Sequence, residues 1–244
     1  MDQTEDPTNG TTSPPDPPPR RRVSRTRNGL TPEQRRELRR QALLDAGLEL
    51  FGTKGYNSTS VEEICRTAYV STRNFYEEFE NREALLWTLI YQTLADAYDA
   101  LRRSGPDEHA PPGVGQLGGE LRGRISRMVH AFVDDPRRAR LVFIECRGMS
   151  LLQEYRRRAA QQAFAQLLGE ILLERGAVIA VSEKSRGTFS LAIVGAVDLV
   201  LSDWLLQPEH PPVVELIDSL TEVVGWMGWG AITRAPERAD ATAN

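Results

Sequence analysis

Several hydrogen-bonding side chains lie close together in the first third of the sequence, and their chemistry suits DNA. Arg73 could donate two hydrogen bonds to one guanine, and Thr72 could contact the methyl group of a thymine. The hydroxyl groups of Ser71 and Tyr76 suit phosphate oxygens, and Asn74 lies at the edge of the same surface. The alternative is that these are solvated polar side chains and that Ser71 only caps a helix.

An apolar stripe predicts a short helix just before this group. Its members, spaced three or four residues apart, are Val61, Ile64, Cys65 and Ala68. Thr59 and Ser60 both suit the N-cap position, because a glutamate follows each of them three residues later. We therefore expect a helix that begins at residue 60 or 61.

A second short helix follows after a tight turn. Ser71 suits its N-cap, with Val70 before the cap and Phe75 four residues after it, the spacing of a hydrophobic staple. Phe75 and Phe79 then point inward and anchor the helix, so Thr72, Arg73 and Tyr76 point outward. Two short helices joined in this way are a helix-turn-helix, whose second helix can enter the DNA major groove.

Charge is distributed unevenly along the chain. The formal net charge is −4, yet residues 20–82 hold 13 basic and 9 acidic residues, which indicates that this part meets phosphates. Residues 1–29 are rich in Pro, Thr, Ser and Asp, and we expect them to be disordered. Arg25 and Arg27, near their end, either reach along DNA phosphates and into the minor groove or simply keep the chain soluble.

Beyond residue 82 the apolar spacing predicts only helices, separated by segments rich in glycine and proline. We expect an all-α fold of about nine helices. Residues 30–82 would form a three-helix DNA-binding domain with the helix-turn-helix, and residues 83–234 a second helical domain. Residues 235–244 would be a frayed tail.

The composition argues against several other classes of protein. Three scattered histidines, no paired-cysteine motif and no glycine-rich phosphate loop predict neither an enzyme, nor a metal site, nor a cofactor. The longest apolar run, 191–201, is too short to span a bilayer and contains Asp198, so we expect no membrane association. Cys65 and Cys146 suit the core of a protein in the reducing cytoplasm.

Residues 36–86 resemble the N-terminal domain of the tetracycline-repressor (TetR) family of transcription regulators. The similarity rests on the Phe-x-x-x-Gly-Tyr end of the first helix (51–56) and on the Ala-x-Val-Ser turn (68–71). It also rests on 75–85, in which Asn-Arg-Glu follows the aromatic pair and Phe79. The rest of the chain matches the family in architecture, which implies a C-terminal domain of about five helices.

The resemblance implies a set of DNA contacts. In the family the recognition helix contacts bases and phosphates from the positions held here by Ser71, Thr72, Arg73, Asn74 and Tyr76. The helix that Thr59 and Ser60 begin meets the DNA backbone, and Arg82 stands where the family places a phosphate-binding lysine.

Two features depart from the family pattern. Tyr69 stands in the turn where the family usually has glycine, and a positive φ there would strain it by roughly 1 kcal/mol. Glu77 and Glu78 follow Tyr76 where neutral or basic residues are common, and we expect them to point partly away from DNA or to modulate operator choice.

The C-terminal part offers two further sites by analogy with the family. A cavity for a hydrophobic effector is expected among its helices, and its candidate wall consists of Met128, Phe132, Phe143, Tyr155, Phe164 and Trp204. For each of these residues, plain core packing is the alternative. Helices eight and nine carry small and apolar residues, including Trp226 and Trp229, that suit a two-fold interface.

Together these features predict a homodimeric, DNA-binding transcription regulator, most simply a repressor that a small hydrophobic effector releases from a palindromic operator. Two recognition helices about 34–36 Å apart would contact successive major grooves. The alternatives are a regulator with a packed C-terminal core that needs no effector, and a protein that binds DNA without sequence preference.

Overall fold

The computed structural model describes residues 29–105, 116–147, 151–174 and 183–232, and all of its regular structure in these ranges is helical. The helices are α1 (Pro32–Thr53), α2 (Val61–Ala68), α3 (Thr72–Glu78), α4 (Arg82–Arg102), α5 (Gln116–Val133), α6 (Pro136–Arg140), a π-helix (Leu141–Glu145), α7 (Leu151–Glu174), α8 (Glu183–Leu206) and α9 (Val213–Ile232). The predicted all-α class with about nine helices is confirmed for this part of the chain. The predictions for 1–28, including Arg25 and Arg27, and for 235–244 fall outside it.

Of the described residues, those from Gly29 to Leu38 belong to one compact unit and those from Arg39 to Ile232 belong to a second. In the first unit, Thr31 and Gln34 close a reciprocal cap at the start of α1. The N–H of Gln34 donates to Thr31 Oγ1 at 3.2 Å, and the N–H of Thr31 donates to Gln34 Oε1 at 2.8 Å. This is the capping box that the spacing of the two residues indicates.

In the second unit, the C-terminal part of α1 packs with α2, α3 and the first half of α4 around one hydrophobic core. Its fully buried side chains include Leu43, Phe51, Ile64, Phe75, Leu85 and Leu86. Ser60 and Ser71 cap α2 and α3, because each hydroxyl oxygen accepts the N–H of the residue three positions on at 3.2 Å. The predicted caps and the inward aromatic anchor are therefore confirmed.

A second hydrophobic core lies among the second half of α4, α5, α6, the π-helix and α7–α9. Arg124, on α5, is buried and holds the end of α4 by donating to the carbonyl of Leu101 at 2.6 Å and to Ser104 Oγ at 2.9 Å. Since α4 carries side chains of both cores, the domain boundary at residue 82 stays a prediction.

The inner face of α7 differs from the one that the apolar pattern predicts. Tyr155, a predicted wall residue, was expected to face inward, but it is 61% exposed, and Leu151 on the same helix is 71% exposed. The buried face of α7 extends from Ile171 toward the N-terminus of the helix, where it ends with Arg157 and Gln153. Polar residues thus continue the buried face, and a pattern of apolar spacing cannot detect them.

The chain changes from α6 to a π-helix without a break. Asp135 caps α6, since its Oδ1 accepts the N–H of Arg137 at 3.1 Å. The five residues Leu141–Glu145 then form the wider π-helical turn, in which Leu141 and Phe143 are buried. A π-helical turn inside a helical segment is often found at functional sites.

Among the described residues, one helix is long and apolar enough to cross a membrane, over Ser185–Leu206 of α8. A single such helix is weak evidence, because the core helix of a soluble protein can have the same composition. Ile193, Leu201 and Trp204 of α8 are buried against protein, and 33% of the apolar window is buried in all.

Candidate DNA-binding surface and internal cavity

The outer face of α3 is polar and exposed. Arg73 has 88% of its side chain exposed and Tyr76 is 56% exposed, while Ser71 and Thr72 are also exposed and Asn74 is half-buried. Beneath them, Phe75 and Phe79 are buried, with ring centroids 5.8 Å apart. The predicted division of α3 into an outer polar face and an inner aromatic face is confirmed, so the polar groups stand on a rigid base.

Arg73 and Glu77 form an ion pair along the exposed face of α3. Arg73 Nε donates to Glu77 Oε1 at 3.3 Å across one helical turn. Both side chains are largely exposed, so the pair contributes little to stability. Its effect is geometric, because an arginine held through Nε keeps both terminal Nη groups available for a bidentate acceptor.

The turn between α2 and α3 places Tyr69 in the left-handed region, with φ 55° and ψ 36°. Its side chain is 98% exposed, so no packing offsets the conformational cost. The N–H of Val70 donates to the carbonyl of Cys65 at 3.0 Å, the pattern in which a left-handed residue ends a helix. The condition under which the sequence predicts strain, a positive φ at Tyr69, is met, and here tyrosine occupies a site that favours glycine.

Thr59, a predicted DNA contact, is 1% exposed. Its hydroxyl donates to the carbonyl of Gly55 at 2.8 Å inside the loop between α1 and α2. The structure contradicts a role for this side chain at the surface, because its single O–H is already used within the protein. Ser60 is exposed, and its hydroxyl proton is not needed for the cap, so it remains a candidate contact.

Arg82, predicted to bind phosphate, is engaged with protein atoms. Its Nη1 donates to the carbonyl of Tyr56 at 3.1 Å and also to the carbonyl of Thr59. The guanidinium carbon lies 4.4 Å from the ring centroid of Tyr56, a cation–π arrangement. Burial raises the pKa of Tyr56 above its ordinary value, although Arg82 opposes this shift. Arg82 therefore ties the start of α4 to the loop before α2 through Nη1. Its contact with phosphate stays a prediction, because a guanidinium has further N–H donors.

A second tie to the same loop comes from the end of the π-helix. Glu145 Oε2 accepts the backbone N–H of Tyr56 at 2.8 Å, and Glu145 Oε1 accepts from Arg140 Nε at 2.9 Å. Gly55 has φ +92°, and a Cβ there would lie 3.3 Å from Glu145 Oε2. Glycine at this position lets the carboxylate approach the loop. No local pattern in the sequence points to a contact across 89 positions.

An apolar cavity, partly open to solvent, lies between α4, α5, the π-helix, α7 and α8. The space free of protein atoms is about 600 Å³ when the adjoining open solvent is included. Four of the predicted wall residues line it: Met128, Phe132, Phe143 and Phe164. Tyr155 does not, since it lies on the exposed face of α7. Trp204 does not either, because its Nε1 donates to the carbonyl of Pro211 at 3.0 Å and its ring stacks on His210 at 4.5 Å.

The cavity wall also contains polar groups that the sequence did not single out as wall residues. They are Cys146, Arg157, Gln161 and Asp198, together with the indole of Trp87. Arg147 Nη2 donates to Asp198 Oδ2 at 2.8 Å, but burial dominates and raises the pKa of Asp198. Burial also raises the pKa of Cys146 to about 11, so its thiol is neutral at physiological pH.

Among the described residues, no group of three or more His, Cys, Asp or Glu side chains could hold a metal ion. Within the described residues, the face of α3 and the apolar cavity are the features that correspond to the predicted sites. They differ in chemistry, since the face of α3 presents donors to solvent and the cavity presents mostly carbon atoms to a partly enclosed space.

Residues 43–87, which include the whole helix-turn-helix, match the family model described as "Bacterial regulatory proteins, tetR family". A longer match supports the same assignment: TcmR of Streptomyces glaucescens, an HTH-type transcriptional regulator, is 29% identical over 189 residues, or 75% of this chain and 81% of TcmR. The DNA-binding part of the chain, residues 43–87, belongs to the TetR family.

Other TetR-family relatives agree with this assignment. YuxN of Bacillus subtilis, an HTH-type transcriptional regulator, is 44% identical over 48 residues, although the match spans only 20% of this chain and 16% of YuxN. The structure of FadR from Bacillus subtilis in complex with stearoyl-CoA superposes with a TM-score of 0.60 at 17% identity, covering 75% of this chain and 96% of FadR. At that identity the likeness supports the fold alone. As a member of the family, this chain is a transcriptional regulator.

Proposed function

We propose that this TetR-family regulator is a cytoplasmic repressor that binds a palindromic operator as a homodimer and is released by a small hydrophobic effector. The observation that carries the DNA-binding part is the outer face of α3, where exposed donors stand on the buried pair Phe75 and Phe79. A short helix held rigidly from below can enter the major groove without losing its own packing.

Within that face, Arg73 is the residue proposed to distinguish between bases. Its pair with Glu77 holds the guanidinium through Nε, which leaves the two Nη groups to bind guanine O6 and N7. Thr72 and Tyr76 would contact a thymine methyl group and a phosphate. The N–H groups at the start of α3, beside Ser71, would bind a further phosphate.

The proposed dimer forms through α8 and α9. Both helices expose apolar side chains, namely Leu191, Leu199, Val214, Val223 and Trp226. Trp226 is 69% exposed, which is unusual for a tryptophan unless another surface covers it. A two-fold axis through these helices would pair each apolar surface with its copy and would place two α3 helices on one side of the dimer.

The proposed effector occupies the cavity. Val142, Phe143 and Cys146 line it, and Glu145, on the same turn, holds the N–H of Tyr56. A ligand that moves this turn would act on the loop before α2. Such a ligand can shift the regulator only by the difference in its affinity for the two states. The complex of FadR with stearoyl-CoA supports ligand binding by this fold.

A gel-shift titration of the full chain on the DNA upstream of its own gene tests the proposal. Specific retardation at near-physiological salt, in the presence of competitor DNA, is the expected result. Retardation that competitor DNA abolishes, with a steep salt dependence, would instead indicate binding without sequence preference. No retardation at all would contradict the proposal.

The role of Arg73 has a sharper test. Arg73→Ala should lower operator affinity about 5- to 150-fold and relax specificity at one base pair, the loss expected of a bidentate contact of about 1–3 kcal/mol. Arg102→Ala is the matched control, since it removes the same charge at the far end of α4 and should leave specificity unchanged. An equal loss of affinity for all DNA sequences would assign Arg73 to phosphate.

A further inference from the structure

The charged groups in the cavity wall are already paired within the protein. Arg157 donates from Nε and Nη2 to the two carboxylate oxygens of Glu154, at 3.0 and 2.8 Å. Asp198 accepts from Arg147 at 2.8 Å. An ionised ligand would have to break one of these pairs or lie unpaired against apolar walls, and both are unfavourable.

Asp198 adds a specific barrier to anionic ligands. Burial already raises the pKa of this carboxyl group, which shows that its surroundings disfavour negative charge. A ligand carboxylate placed beside it would add a second negative charge in the same apolar space. A ligand cation would instead meet Arg157, which lines the same space. The wall therefore favours a molecule without net charge.

One residue of the wall, Trp87, carries a buried hydrogen-bond donor that lacks a partner. Trp87 is 3% exposed, and among the described residues its Nε1 has no hydrogen-bond partner. Its ring is packed against Tyr91, with centroids 5.6 Å apart, and Arg156 lies over it at 5.7 Å, so the indole is held in place. The indole N–H can only donate, and a buried donor without an acceptor is destabilising. An acceptor atom on a ligand would satisfy it.

We propose that the cavity takes a neutral, mostly apolar molecule with a carbonyl or similar oxygen that accepts a hydrogen bond from Trp87. The inference rests on the proposed function, which makes the cavity the effector site, and it adds the chemical class of the ligand. Phe132, Phe143 and Phe164 contact the apolar body of the ligand, and Gln161 offers an amide to a second polar group.

Fluorescence titration of the full chain with two probes and one competitor tests this class of ligand. Prodan is a neutral naphthyl ketone whose emission shifts to the red when its carbonyl accepts a hydrogen bond. 2-Ethylnaphthalene has a similar apolar body without an acceptor. Decanoate carries an ionised carboxylate and, because it is not fluorescent, is followed by its displacement of prodan. Prodan should bind at least tenfold more tightly than either of the other two. Decanoate binding as tightly as prodan would overturn the proposal.

Trp87→Phe isolates the hydrogen bond, because it keeps an aromatic ring and removes the donor. It should lower the affinity for prodan about fivefold or more and shift the emission of the bound probe to the blue, while the affinity for 2-ethylnaphthalene stays the same. Trp204→Phe, which changes a buried tryptophan outside the cavity, should alter neither probe. Equal weakening of both probes by Trp87→Phe would show that shape rather than the acceptor governs binding, against the proposal.

Asp198→Asn gives an independent check, since it removes the negative charge and keeps the side-chain size. Decanoate should bind at least fivefold more tightly to this variant, and an unchanged affinity would contradict the proposed exclusion of anions. DNA retardation is measured separately, without any probe. A protein that binds prodan as described but fails to retard DNA would refute the proposed function and leave the ligand class standing.

Discussion

The two hydrophobic cores of the second unit differ in how completely they are filled. Around α2 and α3, the side chains of Leu43, Phe51, Ile64 and Phe75 are wholly or almost wholly inaccessible to solvent and pack against one another. Around the cavity, Phe132, Phe143 and Phe164 surround empty space. The filled core holds the face of α3 in one geometry, whereas the hollow core leaves room for a molecule whose binding can change the structure around it.

The largest expected effect comes from comparing one phenylalanine substitution in each core. Phe75→Ala should lower the free energy of unfolding by about 3–5 kcal/mol, because it opens a void in a filled core. Phe164→Ala, at the cavity wall, should cost less than about 3 kcal/mol, because its side chain is half-buried and already borders empty space. Chemical denaturation of both variants measures the two values, and equal losses would contradict the contrast.

Arg82 should be the next most important side chain for the stability of the filled core. Arg82→Ala removes the donors to the carbonyls of Tyr56 and Thr59 and the cation–π contact. We expect a loss of about 2–3 kcal/mol in the free energy of unfolding, the range for hydrogen bonds to a charged group. Arg73→Ala, an exposed arginine, is the control and should change stability by less than about 0.5 kcal/mol. If Arg82→Ala leaves the free energy of unfolding unchanged but weakens DNA binding, then Arg82 acts as a phosphate ligand rather than as a structural tie.

Tyr69 is the strained position in the otherwise well-packed helix-turn-helix. Tyr69→Gly should raise the free energy of unfolding by up to about 1 kcal/mol, because glycine adopts φ 55° without steric cost but loses more chain entropy on folding. Thermal unfolding measures the change. Since the tyrosine is 98% exposed, no lost packing offsets the gain, and a lower melting temperature would show that its side chain has a structural partner.

The smallest expected effect concerns acid stability at the cap of α6, beside the hollow core. Hydrogen bonding to the Arg137 guanidinium lowers the pKa of Asp135. A lowered pKa in the folded state contributes stability above the ordinary value, about 3.9, that is lost as pH falls through the folded value. Asp135→Asn keeps the cap and removes the charge. Its free energy of unfolding should therefore be lower than that of the unsubstituted protein by no more than about 1 kcal/mol at neutral pH, and the difference should shrink below about pH 4. A deficit independent of pH would contradict this account.

The helix-turn-helix was predictable because its signals are local. Ser60 and Ser71 act as caps within three residues, and Phe75 and Phe79 anchor α3 at a spacing that the sequence displays directly. The strained turn at Tyr69 was also predictable, from its place in the family pattern. In each case the relevant partners lie within about one helical turn of one another.

The features that the sequence missed or misassigned depend on contacts between distant residues. Arg82 binds carbonyls 23 and 26 positions away, so its engagement has no local signature. Tyr155 was placed in the cavity because apolar residues were assumed to mark the inner face of α7, whereas Arg157 takes that face. Four of the six predicted wall residues were right, since aromatic and methionine side chains on α5, the π-helix and α7 do line the space.

The bond between Glu145 and the backbone N–H of Tyr56 makes a single amide proton a reporter for the whole regulator. An amide that donates to a carboxylate has a distinct chemical shift and exchanges slowly with solvent while the bond holds. Because Glu145 shares its turn with the cavity wall, the exchange rate at Tyr56 connects events in the cavity to the loop before α2. One resonance in a deuterium-exchange spectrum would therefore show how often the two parts of the protein separate, without a ligand or DNA in the tube.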